Sequence, residues 1–371
     1  MRRPRRKKKM LLLWFSLAIV FVISGFFITN AFALGKHSTN KSADSSAVVK
    51  VSDENTSTEI VKDESKPEEK EPEYKEIKGV SNILLIGTDA RKLDEQARSD
   101  SIMILTVDSN HKKLKLTSIM RDTFVEIPNH GEQKINHSYF YGGPELLMET
   151  IEKNFKIKID HYAIINFFGF KDLIDSLGGI DVDIKQKEIK PINDVINGTV
   201  KQIPEFKKEY KPIKKAGMQH LNGLQALSYS RVRHVGDGDF DRSQRQREVI
   251  TLVIDKLKDT SVFKYPTVIS KFMPYIKTDM RITDMANYAY TVYKIGNFMP
   301  IQMQMPVSEL SSGKILNKKG WVLLMDKEQN TEILHDFLYE DKEYDKTQIN
   351  NASLKQSINE YIAQYGLAKK N

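Results

Sequence analysis

Two carboxylates and two arginines stand at the ends of short apolar runs. Asp89 follows Ser81–Gly87, and Arg98-Ser99-Asp100 precedes Ser101–Val107. Each run has the length of a strand buried on both faces. Paired as a hairpin, the two strands set Asp89 and Asp100 at one end of a sheet. Asp108-Ser109-Asn110-His111 is a turn signal, and Lys113–Ile119 alternates as a third strand. Pairing across that turn places residue 100 opposite about residue 120, which brings Met120-Arg121-Asp122 to the same rim. The assumption is that consecutive strands are neighbours, as roughly two-thirds are. Taken singly, an Asp or Arg at a strand end is ordinary, because turns are polar and exposed. Gathered together, Asp89, Arg98, Asp100 and Arg121 suit a divalent cation bridging to a phosphate. Carboxylate oxygens favour Mg²⁺ (or Mn²⁺), which keeps other positions for water and phosphate oxygen.

A second cluster follows. Leu221–His234 opens with Asn222, a good N-cap, and its helix directs Leu224, Leu227 and Val232 to the core. Arg231 and Arg233 are two apart, so they meet one ligand only if the helix loosens there. A turn at Gly236–Asp241 leads to Arg242-Ser243-Gln244-Arg245-Gln246-Arg247, where Arg242 and Gln246 share a face. Arg231, Arg233, Arg242, Arg245 and Arg247 are five arginines in seventeen residues. They read either as a solvated basic face or as an anion site. A helix N-terminus offers free N–H groups, and guanidinium forks match phosphate oxygens in two-point geometry. A diphosphate carries enough charge to justify several arginines and a metal. Lys134 could reach the site from the loop after Arg121, whereas His137, His161 and His220 show no metal-ligand spacing and read as surface or structural.

These residues need a scaffold. Helices are expected at Pro144–Phe155, Phe168–Leu177 (stopped by Gly178-Gly179), 223–233, 243–258, 283–297 and 327–340. Strands are expected at Tyr162–Asn166, Ile180–Ile184, 301–306 and 321–325. Residues 186–219 read as a long polar loop, and residues 341–371 as a polar tail. Strands mixed with helices predict a layered α/β domain over 79–340, with the sheet inside and helices outside.

The start of the chain sets its compartment. Residues 1–9 carry seven basic residues, and Met10–Leu34 is uncharged and apolar. About 20 such residues cross a ~30 Å hydrocarbon layer, and flanking Lys and Arg stay in the cytoplasm. The expectation is a single-pass anchor at the cell membrane with an extracellular body. Ala31-Phe32-Ala33 resembles a cleavage site, but the apolar run exceeds the ~7–15 residues of a signal peptide. Residues 35–78, with eight basic and eleven acidic residues and no apolar period, read as a spacer. The net charge of +8 therefore resides mostly in the tip, and no nucleic-acid partner is expected. The absence of cysteine excludes disulfides, thiol catalysis and Cys-ligated metal.

At these motifs the chain resembles the LytR-CpsA-Psr family of Gram-positive cell-envelope proteins. The resemblance runs from about Ser81 to Ile250. It rests on Ile-Gly-Thr-Asp-Ala-Arg at 86–91, Arg-Ser-Asp-Ser-Ile at 98–102, Ser-Ile-Met-Arg-Asp at 118–122, Lys-Ile-Asn-His at 134–137 and Leu-Gly-Gly-Ile-Asp-Val at 177–182. Ser-Arg-Val-Arg-His and Asp-Phe-Asp-Arg-Ser-Gln-Arg-Gln complete the ordered set. The resemblance implies a phosphotransferase that moves a glycopolymer, such as wall teichoic acid or capsule, from undecaprenyl diphosphate to the C6 hydroxyl of N-acetylmuramic acid in peptidoglycan. It implies Mg²⁺ on Asp89 and Asp100, and a pyrophosphate held by Arg98, Arg121, Arg231, Arg233, Arg242 and Gln246. Asp89 or Asp100 would accept the hydroxyl proton. One departure is Asp241, where the family usually has glycine. The polyprenyl chain requires an apolar channel, expected between sheet and helices and lined by Phe140, Phe167, Phe168 and Phe170. A lipid-diphosphate hydrolase and a non-catalytic regulator that binds lipid-linked polymer are the alternatives.

Overall fold

The computed structural model describes residues 74–368 apart from His234, Gly236, Asp237 and 260–272. The basic tip, the apolar run 10–34 and nearly all of the spacer lie outside the described residues. Among the described residues no helix is long and apolar enough to cross a membrane.

The first three strands form where alternation and turn chemistry place them: β1 (Val80–Thr88), β2 (Ser99–Asp108) and β3 (Lys113–Ile119). The turn between β2 and β3 closes because Asp108 Oδ1 accepts from the amides of Asn110 (3.1 Å) and His111 (3.0 Å). Ile102 then faces Ile119, so residue 100 lies at the level of residue 121. Further along come the hairpin β4 (Phe124–Ile127) and β5 (Gly131–Lys134), helix α1 (Asn136–Phe155), β6 (His161–Asn166), α2 (Phe167–Ser176) and β7 (Ile180–Ile184). Then follow α3 (Ile189–Gln202), β8 (Gly217–Leu221), α4 (Gly223–Arg231), α5 (Asp239–Asp259), β9 (Ile276–Thr278) and α6 (Ile282–Ile295). β10 (Ile301–Met305), β11 (Ser311–Leu316), β12 (Gly320–Met325), α7 (Lys327–Tyr339) and α8 (Asn351–Tyr365) complete the chain.

The central sheet has the order β10-β3-β2-β1-β6-β9. β1 pairs antiparallel with β2 and parallel with β6; β3 is antiparallel to β2 and parallel to β10; β6 is antiparallel to β9. Alternation sends Leu84, Ile86, Ile102 and Ile104 to one face, against Leu147, Ile151 and Phe155 of α1 and Leu334 and Phe337 of α7. The opposite face is roofed by α2, α4, α5 and α6. Helices on both faces are why the strands read as near-continuous apolar runs. The expected α–β–α layering with a mixed, largely antiparallel sheet is what the chain adopts.

Two stretches depart from the sequence reading. Residues 186–219 are not one loop: they hold α3, two short 3₁₀ turns and β8. Ile192, Ile196 and Thr199 form its buried stripe, a helical spacing hidden by Pro191, Asn193 and Gly198, which are poor helix formers. The tail after residue 341 contains α8, whose Ile358, Tyr361 and Tyr365 pack on Phe124, Leu316, Val322 and Leu324. Tyr361 and Tyr365 meet the Phe124 ring edge-on at centroid distances of 5.7 and 5.5 Å. Edge-on aromatic contacts of this kind contribute ~0.5–1.5 kcal/mol beyond the area they bury, which helps to hold an otherwise polar helix in place.

Candidate active site

The rim expected from strand pairing is present. Arg121, just past β3, donates from Nη1 to Asp100 Oδ1 at 2.6 Å, and its Nε lies 3.3 Å from Asp122 Oδ2. Asp122 is buried and also pairs with Lys134 at 2.8 Å, so Lys134 joins the cluster through a shared carboxylate. Burial opposes the charge on Arg121, but Asp122 and Asp100 outweigh it and hold the guanidinium above its ordinary pKa. Asp89 sits one residue beyond β1 in a loop tied down by Asn166 Nδ2 donating to Arg91 O at 3.1 Å. Desolvation and then the charge of Asp100 raise the Asp89 pKa; Arg231 and Arg121 offset this only in part. Arg98 is exposed and makes no ion pair among the described residues, yet its charge helps to depress the pKa of His137.

The second cluster reaches the same place. α4 ends at Arg231 because Val232 leaves the helix with extended backbone, φ −62° and ψ 130°. That break turns Arg233 toward the side occupied by Arg231, as the two-residue spacing required. Arg231 donates to Thr199 Oγ1 at 3.0 Å and lies over the Phe167 ring, 4.3 Å from its centroid. α5 starts at Asp239, four residues earlier than expected. Arg242, only 4 % exposed, donates through Nη2 to the backbone carbonyl of Asp100 and through Nη1 to Asp239 Oδ1 at 3.2 Å. Burial pulls its pKa down to about 10. Asp239 also lies 3.4 Å from Arg233 Nε. Asp122, already expected at the rim, and Asp239 are therefore positioning carboxylates. Asp239 was passed over in the sequence, where its place in the first turn of a helix was the available signal.

Arg231, Arg233, Arg242, Gln246 and Asp100 stand around a cavity of about 500 Å³ between the sheet and its helical roof. Apart from Ser101, Asn166 and Ser230, the rest of its lining is apolar, including Leu85, Met103, Leu105, Ala163, Leu227 and Ile250. Of the aromatics expected there, Phe167 and Phe170 line it. Phe168 instead packs on Phe206 at 5.2 Å, and Phe140 is 37 % exposed beside Tyr141. Arg245 and Arg247 do not join the anion cluster either. Arg245 is buried against Glu188 at 3.0 Å, and Arg247 donates to Ser118, Gln302 and Gln304. His161 and His220 pair with Asp279 and Asp181, at 3.2 and 2.8 Å.

A model of the LytR_cpsA_psr family matches residues 44–336. The chain belongs to the LytR-CpsA-Psr family. Regulatory protein MsrR of Staphylococcus aureus is 32% identical over 266 residues, covering 71% of this chain and 76% of that protein. The polyisoprenyl-teichoic acid–peptidoglycan teichoic acid transferase TagU of Enterococcus faecalis is 36% identical over 213 residues, covering 56% of this chain and 64% of that one. A solved structure of TagT bound to LI-WTA aligns with a TM-score of 0.57 at 27% identity, covering 72% of this chain and 93% of that one. In this LytR-CpsA-Psr chain Asp241, at the usual glycine position, lines a different cavity from Arg242, on another side of α5. Asp89 and Asp100 fit a divalent cation by their donor chemistry: Asp89 forms no ion pair among the described residues, and the two carboxylates repel each other. Among the described residues no group of three or more acidic, His or Cys side chains could hold a metal, so a cation here would take its remaining ligands from phosphate and water.

Proposed function

We propose that this chain is a membrane-anchored phosphotransferase that moves a glycopolymer from a polyprenyl diphosphate to the C6 hydroxyl of N-acetylmuramic acid in peptidoglycan. The observation that carries this is the largely apolar cavity whose charged residues are Arg231, Arg233, Arg242 and Asp100, with Gln246 beside them. It matches an amphiphile with a long apolar tail and a highly charged head. TagU, a teichoic acid transferase by name, and TagT, solved with LI-WTA, support the same reading.

The first isoprene units occupy the cavity, and the diphosphate lies among Arg98, Arg121, Arg231, Arg233, Arg242 and Gln246. A Mg²⁺ held by Asp89 and Asp100 would supply further positive charge to the diphosphate oxygens. Phosphoryl transfer depends mainly on positioning and charge stabilisation. The arginines are preorganised: Asp100, Asp122 and Asp239 fix Arg121, Arg233 and Arg242 before substrate arrives. The muramic oxygen forms a new bond to the phosphorus that carries the polymer. The bond from that phosphorus to the bridging oxygen breaks, and lipid monophosphate leaves with the electron pair. Asp89, which forms no ion pair among the described residues, takes the hydroxyl proton. The apolar run 10–34 tethers the enzyme to the bilayer that dissolves its donor, which raises their effective concentration.

The full chain in detergent, incubated with a lipid-diphosphate-linked glycan, peptidoglycan oligomers and Mg²⁺, tests the proposal. Polymer joined to the muramic sugar is expected. Release to water alone would make the protein a hydrolase. Binding without turnover would favour a regulator, the role in the name of the MsrR relative.

A further inference from the structure

A second cavity, about 560 Å³, lies between α5, the edge strand β10 and the segment after α7. α5 is the wall between the two cavities. Arg242 and Gln246 line the first, whereas Phe240, Gln244 and Arg247 line the second. Most charges around this second cavity are paired: Lys113 with Asp341 at 2.6 Å, Lys342 with Asp336 at 3.0 Å, and Lys346 with Glu309. The carboxylates of Asp241 and Glu343 line it as well, and of its cationic residues Arg247 alone has no carboxylate partner among the described residues. Its Nε donates to Gln302 Oε1 at 3.3 Å, and its Nη1 to Ser243 Oγ at 3.3 Å, Gln304 Oε1 at 3.4 Å and Ser118 Oγ. All of these acceptors are neutral, and no carboxylate pairs with it among the described residues. Burial alone pulls its pKa to about 10. Tyr344 also lines this cavity, and its buried hydroxyl has no hydrogen-bond partner among the described residues. An uncompensated guanidinium and an unpartnered phenol are rare inside a native protein unless something fills the space beside them.

We infer that the second cavity is the acceptor subsite and binds a sugar carrying one acidic group. This deepens the transferase reading and rests on it. The Arg247 fork suits a carboxylate, and Gln244, Gln302, Gln304 and Tyr344 suit hydroxyl and acetamido groups, since amides both donate and accept. Arg247 lies five residues past Arg242, ~7.5 Å along the helix axis, and α5 with its side chains is ~10–12 Å across. A glycan of at least two disaccharide repeats, with one lactyl carboxylate seated here and the chain extending past Phe240 at the start of α5, brings the C6 hydroxyl of a neighbouring muramic sugar to the diphosphate held by Arg242.

The test uses the full chain in detergent and an N-acetylglucosamine–N-acetylmuramic acid disaccharide with a free lactyl carboxylate. Its methyl ester and a glycerol-phosphate oligomer are the comparison probes. Calorimetry should show disaccharide binding that weakens about tenfold on esterification and again in Tyr344→Phe or Gln244→Ala. In turnover with a glycan of two such repeats as acceptor, the same variants should raise the acceptor KM about tenfold with the donor KM unchanged. Tyr344→Phe removes only an unpartnered hydroxyl, so its fold is retained. Disaccharide affinity and acceptor KM indifferent to both variants would overturn the subsite. So would oligomer binding lost in the variants while disaccharide binding persists, which assigns the cavity to the donor polymer. Tyr344-dependent disaccharide binding without transfer to any acceptor would overturn the transferase reading and leave the subsite standing.

Discussion

Arg121 and Asp100 are joined at 2.6 Å across the ends of neighbouring antiparallel strands. The carboxylate at the head of β2 thereby fixes the guanidinium just past the tail of β3. Arg121→Lys keeps the charge but loses the planar fork that reaches Asp100 and a phosphate together. The kcat for transfer should fall about 10²- to 10³-fold, the cost of removing one preorganised donor. Thermal denaturation should show the variant folded. Wild-type kcat in the lysine variant would remove Arg121 from the catalytic set.

Chelating divalent cations should abolish transfer while circular dichroism stays unchanged. Asp89→Asn and Asp100→Asn should each raise the Mg²⁺ concentration for half-maximal rate by about tenfold or more, because a two-carboxylate site loses half its protein charge. Turnover that survives chelation would take the metal out of the mechanism.

Ile250→Trp should fill part of the apolar cavity that Ile250 lines. Lipid-diphosphate binding, followed by fluorescence or calorimetry, should drop about tenfold or more, and binding of a short water-soluble diphosphate should persist. Equal loss of both ligands would show that the tail does not use the cavity.

Arg245 and Glu188 form a buried pair outside the anion cluster. Glu188→Ala strands the guanidinium and should cost about 3–5 kcal/mol in urea unfolding. Acceptor and donor KM of the folded fraction should be unchanged. An activity loss with wild-type stability would mean that Arg245 serves the site after all.

His137 reports on the anion. Burial first, then the positive charges of Arg98 and Lys134, hold its pKa below the ordinary histidine value. The neutral form is favoured in the folded state, so stability is present above pH ~6.5 and is lost as pH falls through the lower, folded pKa. His137→Gln should flatten that part of the melting-temperature profile. A bound diphosphate offsets the charge of Arg98, so the His137 pKa, followed by NMR, should rise on ligand addition. No movement would place the phosphates away from Arg98.

Local chemistry determined a large part of this protein. The turn at 108–111 and the alternation around it set the register of β2 and β3, because neighbouring antiparallel strands take their register from the turn between them, and the apolar run before Asp89 placed β1 beside them. Asp89, Arg98, Asp100 and Arg121 were therefore legible as one rim in the sequence. So were the shared face of Arg242 and Gln246, four residues apart on a helix, and the break that Arg231 and Arg233 demanded. Family membership was legible in the order of the motifs. Tertiary structure alone decided which of the five arginines line the cavity between sheet and helices. On α5, neighbouring side chains point ~100° apart, so the rotation of the helix against the sheet selects among Arg242, Arg245 and Arg247. That rotation is set by partners distant in sequence, Glu188 before α3 and the glutamines of β10. The parallel neighbours β6 and β10, the helix hidden in 186–219 and the packing of α8 on Phe124 share this origin. Each owes its place to non-local burial, which leaves only a weak periodic trace in the segment itself.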